Sequence, residues 1–223
     1  MMCMRKQHEE NKLETVNMSF ESVQSFKYLG STVNQNNTIE EEIKERLIAG
    51  NKTFYANQKM FQNKLLSKKS KLKLYWTLIR PIVTYACETW VLKENIIQKL
   101  MIFERKILRK IFGPTKEVNS LWRIKTNEEL DELIKRKNII RFIKSQRLKR
   151  LGHVERMPNE REVTRIYKWK PLATRPKGRP KNRWEDDVRM DLQKMKIKNW
   201  KRSVLDTDSW RTIVEWTKTR KEL

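Results

Sequence analysis

Few of the 223 residues belong to types that make or break bonds. The cysteines are Cys3 and Cys87 and the histidines His8 and His153; they lie so far apart that no four-ligand zinc site can be assembled. His153 has no carboxylate dyad or nucleophile beside it, so it reads as a buried, hydrogen-bonded structural residue, with phosphate contact as its other role. Asp186-Asp187 is the only Asp-Asp pair. It follows Trp184 in a helical pattern and reads as the solvated first turn of a helix, where acids suit the dipole. What remains is cationic. Lys68, Lys69, Lys71 and Lys73 form one group, Arg156 stands in another, and Arg175, Lys177, Arg179, Lys181 and Arg183 form a third. Ammonium and guanidinium groups hold phosphate, arginine as a bidentate fork. Such contacts are indifferent to base sequence and sensitive to salt. The chemistry on offer is grip.

The third group, Arg175 to Arg183, has a Gly178-Arg179-Pro180 centre, which is narrow, extended and cationic. It resembles an AT-hook, a minor-groove binder of A·T tracts. A flexible basic tether, a nuclear-localisation signal and a solvated linker are the other readings. The four lysines of the first group fall at the loop between two helices, where a solvated face is the plain alternative. Five tryptophans, Trp169, Trp184, Trp200, Trp210 and Trp216, fall in the last 55 residues. Base stacking is one use for them. Their helical spacing assigns Trp184, Trp210 and Trp200 to a small core and leaves Trp169 and Trp216 open.

The elements that must carry these groups follow from composition and periodicity. Lys+Arg number 51 against 27 Asp+Glu, a net charge of +24, while 38% of residues are hydrophobic, enough for a real core. The first 40 residues are net −1, and 41–114, 115–170 and 171–223 are +10, +8 and +7, so the charge overlies folded segments instead of forming one basic arm. A polyanion is the partner such a balance implies. Two cysteines exclude a disulfide scaffold and favour a reducing compartment. No run of 18 apolar residues is present, so nothing is expected to span a membrane, and Met1 to Glu10 lack the apolar stretch of a signal peptide.

The expected fold is mainly α, with four regions: a β-hairpin in 1–37, a helical bundle in 38–114, a basic helical segment in 115–170, and a basic linker with a small Trp-rich helical unit in 171–223. Met18–Phe20 and Phe26–Val33 read as strands joined by a polar turn. Ile39, Ile43, Leu47, Phe54, Phe61 and Leu65 mark one long helix of about seven turns, with Gly50 admitting a close neighbour. A second helix covers 70–79, with Pro81 kinking or restarting it. Residues 82–92 read as the most buried stretch. A third helix runs from Glu94 to Phe112 and ends at Gly113-Pro114. A fourth is expected over 128–151, and two short ones around Trp184–Met195 and Trp210–Thr217, the last capped by Asp206 or Thr207.

Several boxes then become recognisable. Phe26-Lys27-Tyr28-Leu29-Gly30-Ser31 resembles the primer-grip box that follows the palm in reverse transcriptases of non-LTR (LINE-type) retrotransposons. Leu78-Ile79-Arg80-Pro81-Ile82-Val83-Thr84-Tyr85-Ala86-Cys87-Glu88-Thr89-Trp90 resembles the family's thumb segment. Glu104 to Gly113, Arg150 to Met157 and Gly178 to Trp184 resemble boxes at and after the thumb. The five stand in the family's order over about residues 20–216. The resemblance implies a palm remnant carrying Tyr28, Leu29 and Gly30 as primer-grip residues, a thumb-like three-helix bundle, and a basic post-thumb region. The parent enzyme would be an RNA-directed DNA polymerase.

The departures bear on chemistry. The family's polymerase centre needs carboxylates holding two divalent metals, two of them in a Tyr/Phe-x-Asp-Asp hairpin, and no such hairpin is present. The endonuclease and a Cys/His knuckle are also missing. The expectation is therefore a truncated copy that is not an enzyme by itself, with no cofactor, any divalent metal belonging to the absent palm. It would bind RNA and DNA with little sequence preference, take no small-molecule substrate, and reside in the nucleus and cytoplasm. A domesticated, non-catalytic nucleic-acid or chromatin-binding protein is the alternative, and a helical scaffold for acidic protein partners is a third.

Overall fold

The computed structural model describes residues 12–15, 18–36, 38–117, 120–169 and 183–219. The fold is mainly helical with short β-hairpins at its N-terminal end. Strand β1 (Lys12–Thr15) pairs antiparallel with β2 (Met18–Glu21), and β3 (Ser25–Tyr28) with β4 (Ser31–Asn34). The sequence pairing is thereby corrected. Phe26–Val33 is not one strand but folds on itself, because Leu29 and Gly30 both take positive φ (+47° and +80°), the two-residue hairpin turn that matches strand twist.

Helix α1 (Glu40–Ala56) and the short α2 (Gln58–Gln62) replace the single long helix. Asn57 is the break: its N–H still donates to the Thr53 carbonyl as in the helix, but at φ −101° and ψ 15° the backbone leaves helical geometry, and its side-chain amide donates to the same carbonyl. The stripe holds through Phe61, but Leu65 lies past the break and is 93% exposed. Next come α3 (Lys68–Leu74), a π-helical turn (Tyr75–Ile79) and α4 (Arg80–Val83). Pro81 stands in the first turn of α4, where its missing N–H costs least. Helix α5 (Glu94–Phe112) has the expected bounds and stops at Gly113, whose φ of +70° no side chain favours.

The expected 128–151 helix is two. Helix α6 (Asn127–Leu133) starts in a capping box built by Thr126 and Glu129. The chain then turns through Lys135 and Arg136, both at positive φ, before Asn138 caps α7 (Ile139–Glu155). Between α5 and α6 lies a minimal hairpin of β5 (Thr115–Lys116) and β6 (Trp122–Arg123). Helices α8 (Glu162–Lys168), α9 (Trp184–Lys194), α10 (Trp200–Ser203) and α11 (Thr207–Thr217) follow, α11 capped by Asp206.

Two apolar cores result. The first is built from α1, α2, α3, the π turn, α4, α5 and α6, with Ile139, Ile140 and Ile143 of α7. The second joins Leu148 and Leu151 of α7 to Val188 and Leu192 of α9 and to Trp210 and Val214 of α11. Helix α7 therefore belongs to both, and 139–154 is the most buried stretch. Residues 82–92 instead alternate between buried and open positions. Sequence reading missed this because Arg141, Lys144 and Arg147 look like surface residues, yet each is buried against a carboxylate.

Two glycines set helix approach. A Cβ on Gly50 would lie 2.9 Å from the Phe103 ring and closer still to Val83, so α1 sits directly on α5 and α4. A Cβ on Gly152 would strike the Trp210 indole, whose Cε2 would be 2.9 Å away. That indole is pinned, donating from Nε1 to the Leu148 carbonyl at 3.0 Å. Alanine in mid-helix normally gains up to about 1 kcal/mol over glycine. Gly152→Ala should instead lose about 1–3 kcal/mol through overpacking. Urea unfolding reads the sign, and a stabilised variant would contradict the contact.

Candidate nucleic-acid interface

The primer-grip-like residues sit on the β3–β4 turn. Tyr28 and Leu29 are exposed, 61% and 74%. The turn is fixed from below. Tyr85 donates its hydroxyl to the Leu29 carbonyl at 2.9 Å, and Arg46 donates to the Gly30 carbonyl. The Arg46 guanidinium also lies 4.5 Å above the Tyr85 ring and donates through Nε to Glu42 at 2.7 Å. Glu42 is buried, and its other oxygen accepts the Thr32 N–H at 2.6 Å. These bonds offset the strain of a positive φ at Leu29. Tyr28 is presented by a braced turn, with Phe26 exposed two residues before it.

Helix α3 starts two residues before the expected 70–79 helix, so Lys68 and Lys69 lie on it with Lys71 and Lys73 and not in the loop before it; its N-cap Ser67 accepts the Ser70 N–H at 3.0 Å. Lys68, Lys69 and Lys73 are exposed and have no carboxylate in ion-pair range among the described residues. Lys71 is half-buried and lines a cleft of 330 Å³ with Lys110, Gln58, Gln62, Phe54 and Phe61. Lys110 stands 4.9 Å from the Phe54 ring and 4.8 Å from that of Tyr55.

Arg156 is half-buried and donates to the Val204 carbonyl at 2.8 Å, so part of its fork ties the end of α7 to the α10–α11 turn. Arg175, Lys177, Arg179 and Lys181 lie outside the described residues, so the AT-hook-like run has no structural account. Arg183, half-buried, is the residue before α9. His153 is exposed, which corrects its reading as a buried structural residue. Among the tryptophans, Trp210 is buried, Trp184 donates from its indole to the Glu88 carbonyl at 2.7 Å, and Trp200 is half-buried with its ring 6.5 Å from that of Trp210. Trp169 and Trp216 are 67% and 59% exposed.

The Asp186-Asp187 reading needs the largest correction. Asp186 is exposed, but Asp187 is buried, accepting from Arg147 Nη2 at 2.7 Å and from the Leu92 N–H at 2.8 Å. Arg147 is completely buried and also reaches Asp191 at 3.3 Å, and Asp191 accepts from Lys144 at 2.9 Å. The spacing Lys144/Arg147 against Asp187/Asp191, three and four residues apart on two helices, was the signal that could have found this cluster. Glu104 is also buried, accepting from the Tyr75 hydroxyl at 2.9 Å and the Ile139 N–H at 2.8 Å. Burial pushes its carboxyl up to about 7. Burial likewise pushes the Cys87 thiol up to about 12, which leaves it no thiolate for nucleophilic work.

Among the described residues no group of three His, Cys, Asp or Glu side chains is placed to hold a metal ion. None of the described helices is long and apolar enough to cross a membrane. Among the described residues, Asp187, Asp191, Glu42 and Glu104 are drawn inward, while Lys68, Lys69 and Lys73 stay exposed without an ion pair.

No protein-family model matches the chain, and no solved structure matches it. Over 200 residues, 87% of this chain and 71% of the relative, it is 24% identical to an uncharacterized transposon-derived protein of Caenorhabditis elegans. The chain is thus similar to a protein that arose from a transposable element.

Proposed function

We propose that this chain is a nucleic-acid-gripping region of a non-LTR retrotransposon reverse transcriptase, holding the RNA–DNA duplex and target DNA without polymerase chemistry of its own. The observation that carries this reading is the exposed row Lys68, Lys69 and Lys73, unpaired on a helix whose first turn holds no acid. Lys68 and Lys69 stand at the positive end of the helix, which is unfavourable by itself, and a phosphate backbone offsets that repulsion. The order of the recognised boxes and the similarity to a transposon-derived protein support the element of origin. Engagement of Asp187 with Arg147 supports the non-catalytic half, since that member of the one Asp-Asp pair holds α9 to α7.

Binding to an RNA–DNA hybrid and to duplex DNA should be measurable at about 50 mM salt and should weaken linearly on a log–log salt plot. Replacing Lys68, Lys69 and Lys73 together with Ala should lower the slope by roughly 2–3, at about 0.9 per phosphate, with no loss of thermal stability. Absence of binding to either duplex at that salt would sink the proposal and favour a scaffold for acidic proteins.

A further inference from the structure

Beside the exposed lysine row, a second pair of cations stands without a counter-ion. Lys71 of α3 and Lys110 of α5 line the same 330 Å³ cleft, and among the described residues neither makes an ion pair. Lys110 is held in place. Its ammonium nitrogen lies 4.9 Å from the centre of the Phe54 ring and 4.8 Å from that of Tyr55, and ring faces attract a cation without neutralising it. The Phe54 and Phe61 rings, 4.9 Å apart and both buried, give the cleft an apolar wall. Gln58 and Gln62, one turn apart on α2, add two carboxamides to its lining.

The shortage of acids is written into the chain. From Arg46 to Cys87 there are nine Lys and Arg and no Asp or Glu. That stretch supplies every lining residue of the cleft except Lys110. The last acid of α5, Glu104, is buried and already accepts from Tyr75 and Ile139. Like charges in one cleft repel, and no side chain lining it balances them. Size and charge then select the ligand. Small-molecule sites begin at about 300 Å³, so the cleft seats one terminal group and not a length of strand. A backbone phosphodiester brings one negative charge, whereas a phosphomonoester brings about two near pH 7, which matches two ammonium groups.

We propose that the cleft is a phosphomonoester site, in which Lys71 and Lys110 hold the phosphate of a strand end or of a free mononucleotide and the Gln58 and Gln62 amides donate beside them. The site rests on the cleft; a strand end as the source of the phosphate rests on the nucleic-acid reading above. No bond is made or broken. The ammonium groups supply charge-assisted hydrogen bonds, and the apolar wall strengthens them by lowering the local dielectric.

Adenosine 5′-monophosphate is the probe for the site, with adenosine as its control at equal ionic strength. In the wild-type chain the monophosphate should shift the Gln58 and Gln62 side-chain amide resonances saturably, and adenosine should not. Resonances unmoved by the monophosphate overturn the site, and an equal response to adenosine overturns phosphate as its ligand. Lys71→Gln with Lys110→Gln should weaken monophosphate binding about tenfold or more, the usual effect of lost charge-assisted bonds. Lys149→Gln with Lys201→Gln removes the same charge from exposed positions outside the cleft and should change binding little. Equal losses in the two double variants would mean diffuse attraction and overturn the site. A single-stranded oligonucleotide with and without a 5′-phosphate then tests the source. Tighter binding of the phosphorylated strand, lost when Lys71 and Lys110 are replaced, assigns the strand end. Equal binding of the two strands overturns that source and leaves the free nucleotide. A wild-type chain that binds no nucleic acid sinks the proposed function, and the monophosphate titration still decides the site.

Discussion

Replacing Arg147 with Met should destabilise the fold by about 3–5 kcal/mol, the usual result of removing one partner from a buried ion pair. At about 2–4 °C per kcal/mol for a chain of this size, the melting temperature should drop by roughly 6–20 °C. The size of the loss follows from what is left behind. Asp187 would keep only the Leu92 N–H, and Asp191 only Lys144, both in the interior. Adding Asp187→Asn should return part of the loss, since the amide oxygen still accepts from Leu92 while the stranded charge is gone. Thermal and urea unfolding of the single and double variants check this. A double variant no more stable than Arg147→Met would show that the charge at Asp187 is not what the cluster balances.

The second large effect concerns pH. Glu104 has its carboxyl raised from an ordinary 4.5 to about 7 by burial, with Asp131 adding repulsion, while the Ile139 N–H, the Tyr75 hydroxyl and Arg80 oppose the rise. The folded state thus binds a proton more tightly than the unfolded one. Between about pH 4.5 and 7 the native chain carries that proton and the unfolded chain does not, so stability falls as pH rises through this window and levels off above it. The full span is on the order of 3 kcal/mol. Glu104→Gln fits the same site, with its oxygen on Ile139 and its amide toward Tyr75, and does not titrate. Its stability should match the wild type near pH 5 and exceed it near pH 7.5. Parallel curves for the two proteins would refute the assignment.

Both sites show where sequence reading reaches and where it stops. The bounds of α5 were legible because its apolar residues recur at helical spacing and Gly113-Pro114 ends the run. Glu104 was legible too, in retrospect: it falls in the stripe Leu100, Glu104, Ile107 and Ile111, all of them buried. The burial of α7 was hidden for a physical reason. Arg147 is neutralised by carboxylates 40 and 44 residues away and Lys144 by one of the same two, and hydropathy sees only the cation. The break at Asn57 was hidden by a continuous stripe, because a single non-helical residue leaves the apolar spacing through Phe61 intact. Of the candidate interface, the lysines were found with a helix that starts two residues earlier than expected, and the box around Leu29-Gly30 was found without its hairpin turn or the Tyr85 and Arg46 braces beneath it.

The shared helix α7 has a consequence for biosynthesis. A ribosome releases the chain from its N-terminus, and the bundle lacks its last wall until residues 139–143 have emerged. Until then the Glu104 carboxylate waits for the Ile139 amide, 35 positions downstream. Once α7 has docked, its second half projects as a ready-made template on which α9 and α11 condense. Assembly is thereby ordered, bundle before C-terminal layer, and a message cut short after α7 would leave Leu148 and Leu151 bare, a mark for quality-control proteases.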